Sequence, residues 1–280
     1  MDLNVTWFLL FGVLIAVYAM LDGFDLGAGV ISLLSRREDH RKTCANAIAP
    51  VWDGNEVWLI TAGASLFAAF PPVYATVFSG FYLAFLLLLL ALIVRAVSIE
   101  YRNVVDSPRW RRAWDWGFGI GSLLPSILFG VAVGNVMRGL PIDAAGDFRG
   151  TFLGLLNPYS VLFGLLSLAM FVLHGAIWLA MKTDGDLAAR AAAFARLAWV
   201  AWIVLWLGAT AATAFAAPDL FAAGTGRVAS WAAAAVLVAA LALVRVFIAS
   251  GAWGRAFAAS SAAIAAAVGL VGAALFPRLP

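Results

Sequence analysis

Long apolar runs alternate with short polar breaks from one end of the chain to the other, and most of the charges fall in the breaks. An apolar window of about 20 residues is long enough to cross a bilayer core as a helix. Such windows fall near residues 5–34, 46–69, 75–99, 117–137, 158–181, 196–216, 228–250 and 256–276. Between them lie SRREDHRKT, the Pro71–Pro72 turn, the Glu100–Trp114 loop, the stretch from Arg138 to Asn157, KTDGDLAAR, the segment around Pro218–Asp219 and a tight turn near Gly251. None is long enough to be a domain. The pattern predicts an all-α integral membrane protein with eight transmembrane helices.

Composition supports this reading. Of 280 residues, 64% are hydrophobic and 12% charged, with a mean hydropathy of +0.98; a soluble domain needs about a quarter of its residues charged. Eight spans of about 22 residues occupy roughly 176 positions. The formal net charge of +3 reflects basic residues in short loops, so nucleic acid is not an expected partner and membrane lipid is. A lone Cys44 excludes a disulfide framework or a paired redox motif. Asp2 is the one charge before Asp22, and no small-residue cleavage site follows the first apolar run, which therefore reads as a retained span.

Of the eighteen Lys and Arg residues, all but Arg138, Arg149, Arg227 and Arg278 fall at or near one set of helix ends, Arg95 and Arg245 included. The basic side is cytoplasmic and both termini are outside. Trp7, Trp110, Trp114, Trp116 and Trp253 sit near predicted helix ends as interfacial anchors. Leu21–Asp22–Gly23 and Leu173–His174–Gly175 form a faint parallel repeat. It suggests two four-helix bundles, residues 1–138 and 158–280, joined by an external connection over 139–157. Alanines from Ala209 to Ala274 favour close helix packing.

The informative residues are acids inside spans. Asp22 and Asp25 are three residues apart in the first span, and Asp53 and Glu56 repeat that spacing in the second, so each pair shares a helix face. An ionised acid at a helix centre costs about 2.5–3.5 kcal/mol, and four unpaired ones about 10–14. Three readings are open: the acids are protonated or paired, with Arg95 or Arg245, and hold helices together; they line a proton route; or they coordinate a transported cation. Asp25 lies about nine residues from the cytoplasmic end of its span, roughly 14 Å, and Asp53 about seven residues from its own. Gly23, Gly27 and Gly29 clear one helix face for a neighbour to approach the acids. Asp53, Asn55 and Glu56 lie between Trp52 and Trp58, whose indole N–H groups can donate within the network. His40 falls in a loop and His174 in the fifth span, so a bis-His haem site is not expected. His174 reads as an interior hydrogen-bonded histidine. No phosphate loop, zinc spacing or nucleophile arrangement is present.

The stretches A-M-L-D-G-F-D-L-G-A-G (Ala19–Gly29), N-A-I-A-P-V-W-D-G-N-E-V-W-L-I-T-A-G-A-S-L-F-A-A-F-P (Asn46–Pro71) and F-S-G-F-Y (Phe78–Tyr82) closely resemble subunit II of cytochrome bd quinol oxidases. The likeness is dense over residues 18–102 and continues through R-W-R-R-A-W-D-W-G (Arg109–Gly117), G-N-V (Gly134–Val136) and L-L-N-P-Y (Leu155–Tyr159). The resemblance implies a haem-free subunit of a complex that oxidises quinol and reduces dioxygen to water, taking protons from the cytoplasm without pumping. Haem b and haem d would belong to the partner subunit I, none ligated by this chain, with room left for a structural quinone and a small accessory single-span subunit. It places the complex in a bacterial or archaeal cytoplasmic membrane and puts Asp53 on a hydrophilic proton path, with Trp52, Asn55 and Glu56 as its network and Asp25 and Asp22 beside it or at the subunit interface. Glu56 conforms to the family, where that position is commonly Gln or Glu. The chain stops at F-P-R-L-P, where family members usually continue into another helix, so a C-terminally shortened branch is expected. The alternative is a secondary transporter binding a cation on the same acids. Broken helices in both halves would favour it, but the acids cluster in the first half.

Overall fold

The computed structural model describes residues 2–143 and 148–277. Arg278 and the end of F-P-R-L-P, and residues 144–147 of the expected external connection, lie outside the described residues. The described residues form an all-α fold of eleven α-helices. They are α1 (Leu3–Leu33), α2 (Glu38–Ile48), α3 (Trp52–Ala69), α4 (Pro71–Gly80), α5 (Tyr82–Tyr101) and α6 (Pro108–Arg138), then α7 (Pro158–Lys182), α8 (Gly185–Ala216), α9 (Pro218–Thr225), α10 (Val228–Ala249) and α11 (Trp253–Leu275). Among the described residues, seven helices are long and apolar enough to cross a membrane: α1, α5, α6, α7, α8, α10 and α11. The expected second span falls short because Asp53, Asn55 and Glu56 crowd the first turns of α3.

Local chemistry explains where the helices differ from the expected windows. The window 46–69 is interrupted at Ala49–Val51, because Pro50 has no N–H to continue the helix. The window 75–99 divides into α4, opened by Pro71 and Pro72 at its N-terminal positions, and α5. KTDGDLAAR is not a loop beyond Gly185: Leu187, Ala191 and Ala195 are buried at four-residue spacing, and this stripe carries α8 on as a helix beyond the apolar window. Likewise α6 begins at Pro108, well before residue 117. Asp115 in that extension accepts from Arg41 Nε at 2.8 Å and Arg102 Nε at 2.6 Å. These bonds tie α2, the end of α5 and the start of α6 together. On α2's exposed side, the Arg37 guanidinium bonds the Asp39 carboxyl and lowers its pKa to about 2.

The core is centred on α1 and α7, with α2, α6, α8, α10 and α11 adding residues such as Ile48, Trp202, Val244 and Ile264. The two central helices cross with almost no gap. A β-carbon on Gly27 would stand 1.9 Å from the Phe171 carbonyl oxygen, and one on Gly175 would stand 2.5 Å from the backbone of Gly27 and Ala28. Gly23 also faces Phe171, but Gly29 faces Ser122 of α6. The three glycines therefore do not clear one face as the sequence suggested; at about 100° per residue, two point to α7 and one points away. The outward surfaces of α5, α8 and α10 expose Leu86, Leu90, Val204, Leu207 and Val238, among others. Phe8 of α1 and Phe276, just past α11, meet edge to face at 5.5 Å, so the first and last helices have their chain-terminal ends on the same side.

Two expected outcomes follow from this packing. Gly27→Ala lowers the thermal midpoint of the purified protein, at a cost of about 1–3 kcal/mol or more. Gly12→Ala, inside the same helix where a β-carbon meets nothing within 4 Å, leaves the midpoint in place or raises it slightly; equal midpoints for the two variants would remove the close crossing as a constraint. Cys44 is buried, and desolvation raises its thiol pKa to about 12. At neutral pH almost no thiolate exists to react, so maleimide labelling should require denaturation.

Candidate functional site

Four helical turns converge on one buried polar knot. In α1, Tyr18, Asp22 and Asp25 follow four- and three-residue steps along one face. The Tyr18 hydroxyl donates to Asp22 Oδ2 at 2.8 Å. From α5, Arg95 donates from Nη1 to Asp22 Oδ2 at 2.9 Å and from Nη2 to Asp22 Oδ1. Both side chains have 0% exposure, which makes this a two-pronged, fully desolvated ion pair. Gly121 of α6 makes room for it: a β-carbon there would lie 2.7 Å from the Ala91 carbonyl oxygen and 2.9 Å from Arg95 Cβ.

The start of α3 supplies the rest. Asn55 Nδ2 donates to Asp25 Oδ2 at 2.7 Å and to the Leu21 carbonyl at 3.3 Å. Glu56 Oε1 lies 3.5 Å from Arg95 Nη2, with 23% of the Glu56 side chain exposed. Three buried atoms in the knot have no hydrogen-bond partner: Asp25 Oδ1, Glu56 Oε1 and Arg95 Nε. One cation therefore faces three carboxylates. An isolated charge in such a place costs several kcal/mol, so the arrangement favours holding protons on some of its acids.

Asp53 is not in the knot. It is the second residue of α3, not a residue seven positions deep in a span, and its side chain is on the exposed surface of this chain. An acid in the first helical turn is favoured by the positive end of the helix dipole, which lowers its expected insertion cost. Trp52 packs against the main core. The knot's hydrogen bonds come from Tyr18, Asn55 and Arg95, not from the indoles of Trp52 or Trp58.

Sequence reasoning named Arg95 as a pairing partner but also counted it among the helix-end basics. It lies well inside α5, with no exposure. Arg245 instead stacks over the Trp199 ring at 5.9 Å. Tyr18 was missed, although its four-residue offset from Asp22 was a readable signal. His174 behaves as an interior hydrogen-bonded residue. Its Nε2–H donates to the Met20 carbonyl at 2.9 Å, and Nδ1 meets the Ser260 hydroxyl at 2.7 Å. It thereby ties α7 and α11 to α1 at Met20, about a turn and a half before Asp25.

Removing one member of the buried pair should be far worse than neutralising both. Arg95→Gln is expected to destabilise the purified protein by about 3–5 kcal/mol, and Asp22→Asn combined with Arg95→Gln to recover a substantial part of that loss. Additive losses in thermal denaturation would mean that the two side chains do not act as a pair.

Against this geometry, comparison with known proteins is direct. The family described as "Cytochrome bd terminal oxidase subunit II" matches residues 3–280. "Cytochrome bd-I ubiquinol oxidase subunit 2" of Escherichia coli (strain K12) is 45% identical over 207 residues, covering 72% of this chain and 55% of that protein. The chain thus spans about half the length of that relative. "Cytochrome bd ubiquinol oxidase subunit 2" of Bacillus subtilis (strain 168) is 36% identical over 279 residues, covering 99% of this chain and 82% of that protein. A chain from "The structure of bd oxidase from Geobacillus thermodenitrificans" shares the fold, with a TM-score of 0.83 at 18% identity, covering 100% of this chain and 86% of that one. This multi-pass membrane protein belongs to the cytochrome bd terminal oxidase subunit II family.

Proposed function

We propose that the chain is the haem-free subunit of a bd-type terminal quinol oxidase, which oxidises quinol and reduces dioxygen to water in a bacterial or archaeal cytoplasmic membrane. It packs against a haem-bearing subunit I, supports that subunit's assembly, and offers cytoplasmic protons a path. The observation that carries the proton role is the placing of Asp53. It stands on the uncovered face of α3, three residues from Glu56, which in turn reaches Arg95 in the buried knot. In this reading Asp53 meets the partner subunit, with Glu56, Asn55, Asp25 and Asp22 behind it.

The topology of eight crossings has geometric support. Glu38 of α2, just after α1, lies 3.7 Å from Arg102 at the end of α5. The ends of α1 and α5 therefore share a side, which supports a crossing between them, and in this reading α3 makes it. Its 18 residues span about 27 Å, close to the ~30 Å of a bilayer core. The basic residues clustered where α2, α5 and α6 meet make that side cytoplasmic and both termini external. We assign residues 1–138 and 158–280 to two four-helix bundles, meeting where α1 crosses α7, with 139–157 as the external connection.

Haem b and haem d, in this reading, sit in subunit I. In support, both ring nitrogens of His174 are engaged by the Met20 carbonyl and Ser260, and His40 Nε2 lies 3.3 Å from Asp186 near the cytoplasmic ends. A structural quinone and a small accessory single-span subunit complete the proposed assembly. The transporter reading finds less support, since the second half has His174, already bonded to protein groups, where the first has Asp22.

Purification from the native membrane should bring down a haem-bearing partner, and its absence would sink the oxidase reading. In the purified complex, Asp53→Asn should slow oxygen consumption at least about tenfold, against the ~10²–10⁴ that a positioned proton carrier contributes, while the subunits stay associated and the haem spectra are normal. Unchanged turnover, or loss of assembly, would reduce Asp53 to a packing residue.

A further inference from the structure

The acids behind Asp53 are not equivalent. Asp22 is saturated: Arg95 grips both of its oxygens, and Tyr18 adds a third bond. Asp25 has one neutral donor, Asn55, on Oδ2, and its Oδ1 is buried and open. Glu56 has only the 3.5 Å contact to an Arg95 nitrogen already committed to Asp22. The guanidinium thus offsets one carboxylate, and two remain beside the same pair: Asn55, next to Glu56 in the chain, bonds Asp25, and Glu56 contacts the Arg95 that holds Asp22.

The surroundings offer no second cation among the described residues. The charged or titratable groups facing the pair are Tyr18 and Asp22 on α1, Asp53 on α3 and Arg95 on α5; α7 brings His174 to the other side of Met20. The His174 ring is committed to the Met20 carbonyl and Ser260. On α6, Ser122 and Ser126 donate to carbonyls of their own helix. What the knot does offer is three open polar atoms, Asp25 Oδ1, Glu56 Oε1 and Arg95 Nε. That is the usual number of partners for a buried water.

The geometry points to Asp25 and Glu56 sharing one exchangeable proton through ordered water, while Asp22 and Arg95 stay ionised as a fixed pair that takes no part in exchange. When the proton sits on Glu56, Asp25 is the carboxylate that accepts from Asn55 and water; when it crosses, Glu56 becomes the carboxylate and falls back on Arg95. One proton leaves one carboxyl oxygen and joins the other, with water as the bridge. Glu56 is the outer member, being part-exposed and nearest Asp53, so protons arrive in the order Asp53, Glu56, Asp25. That order rests on the proton-access reading; the shared proton does not.

The test is infrared difference spectroscopy of the intact complex as pH is stepped, in ordinary and heavy water. One carboxylic carbonyl band that shifts on deuteration is expected. It should vanish in Glu56→Gln and equally in Asp25→Asn, because removing either acid ends the charge conflict and lets the survivor ionise. Asp53→Asn should keep the band. Persistence of the band in Glu56→Gln overturns the proposal, as do two bands each lost in a different variant. If Asp25→Asn does not accumulate, the Glu56→Gln result alone decides, since that isosteric change lies at the part-exposed edge of the knot. Normal turnover in Asp53→Asn with the band behaving as stated would defeat the proton-access reading and leave the shared proton standing.

Discussion

A guanidinium with no exposure, held between helices inside an apolar fold, dictates much of what surrounds it. Arg95 demands an ionised partner with two oxygens in one plane, and Asp22 meets that demand only if α1 presents that face to α5. Once α1 is oriented this way, Tyr18 and Asp25 are carried to the same side, and α3 must dock with Asn55 inward to satisfy Asp25. That docking turns Asp53 outward. The exposure of the residue with the strongest functional claim is thus a consequence of the needs of a different, wholly buried pair.

The charged ends reinforce the same geometry from the water side. Asp115, buried near the start of α6, accepts from Arg41 and Arg102, and Glu38 bonds Arg111 at 3.3 Å. These contacts hold α2 against the α5–α6 corner, and α2 runs through a three-residue break into α3. The position of the Asp53 turn is therefore fixed at both ends, by ion pairs before it and by the buried knot beside it.

Much of this was legible in the residues themselves. The long helices followed from apolar length, and the acids stood out because a lipid-facing chain carries so few. What could not be read was mostly a matter of partners distant in sequence. Arg95 could be named as a candidate partner for the acids but not told apart from Arg245 or from a helix-end basic, because its pairing depends on which face of α5 meets α1, and no local pattern encodes that. The depth of Asp53 was misjudged because Pro50 starts a new helix, where hydropathy sees one apolar window. The glycines of α1 were correctly read as sites of close approach, but 100° of rotation per residue sends Gly29 to a different neighbour from Gly23 and Gly27. The charged start of α8 was hidden because its buried stripe of Leu187, Ala191 and Ala195 lies beyond the apolar window.

The contact between Gly27 and Gly175 has a mechanical corollary. Where two backbones touch without intervening side chains, neither helix can turn about its axis without driving a carbonyl into its neighbour, and tightly packed interiors do not deform continuously. His174 adds a bolt across the same joint, from α7 to the Met20 carbonyl. The two halves of the chain are therefore locked at their centre, so rocking of one half against the other is the motion this architecture resists most. Motion within it is left to single side chains, inside a frame that stays still.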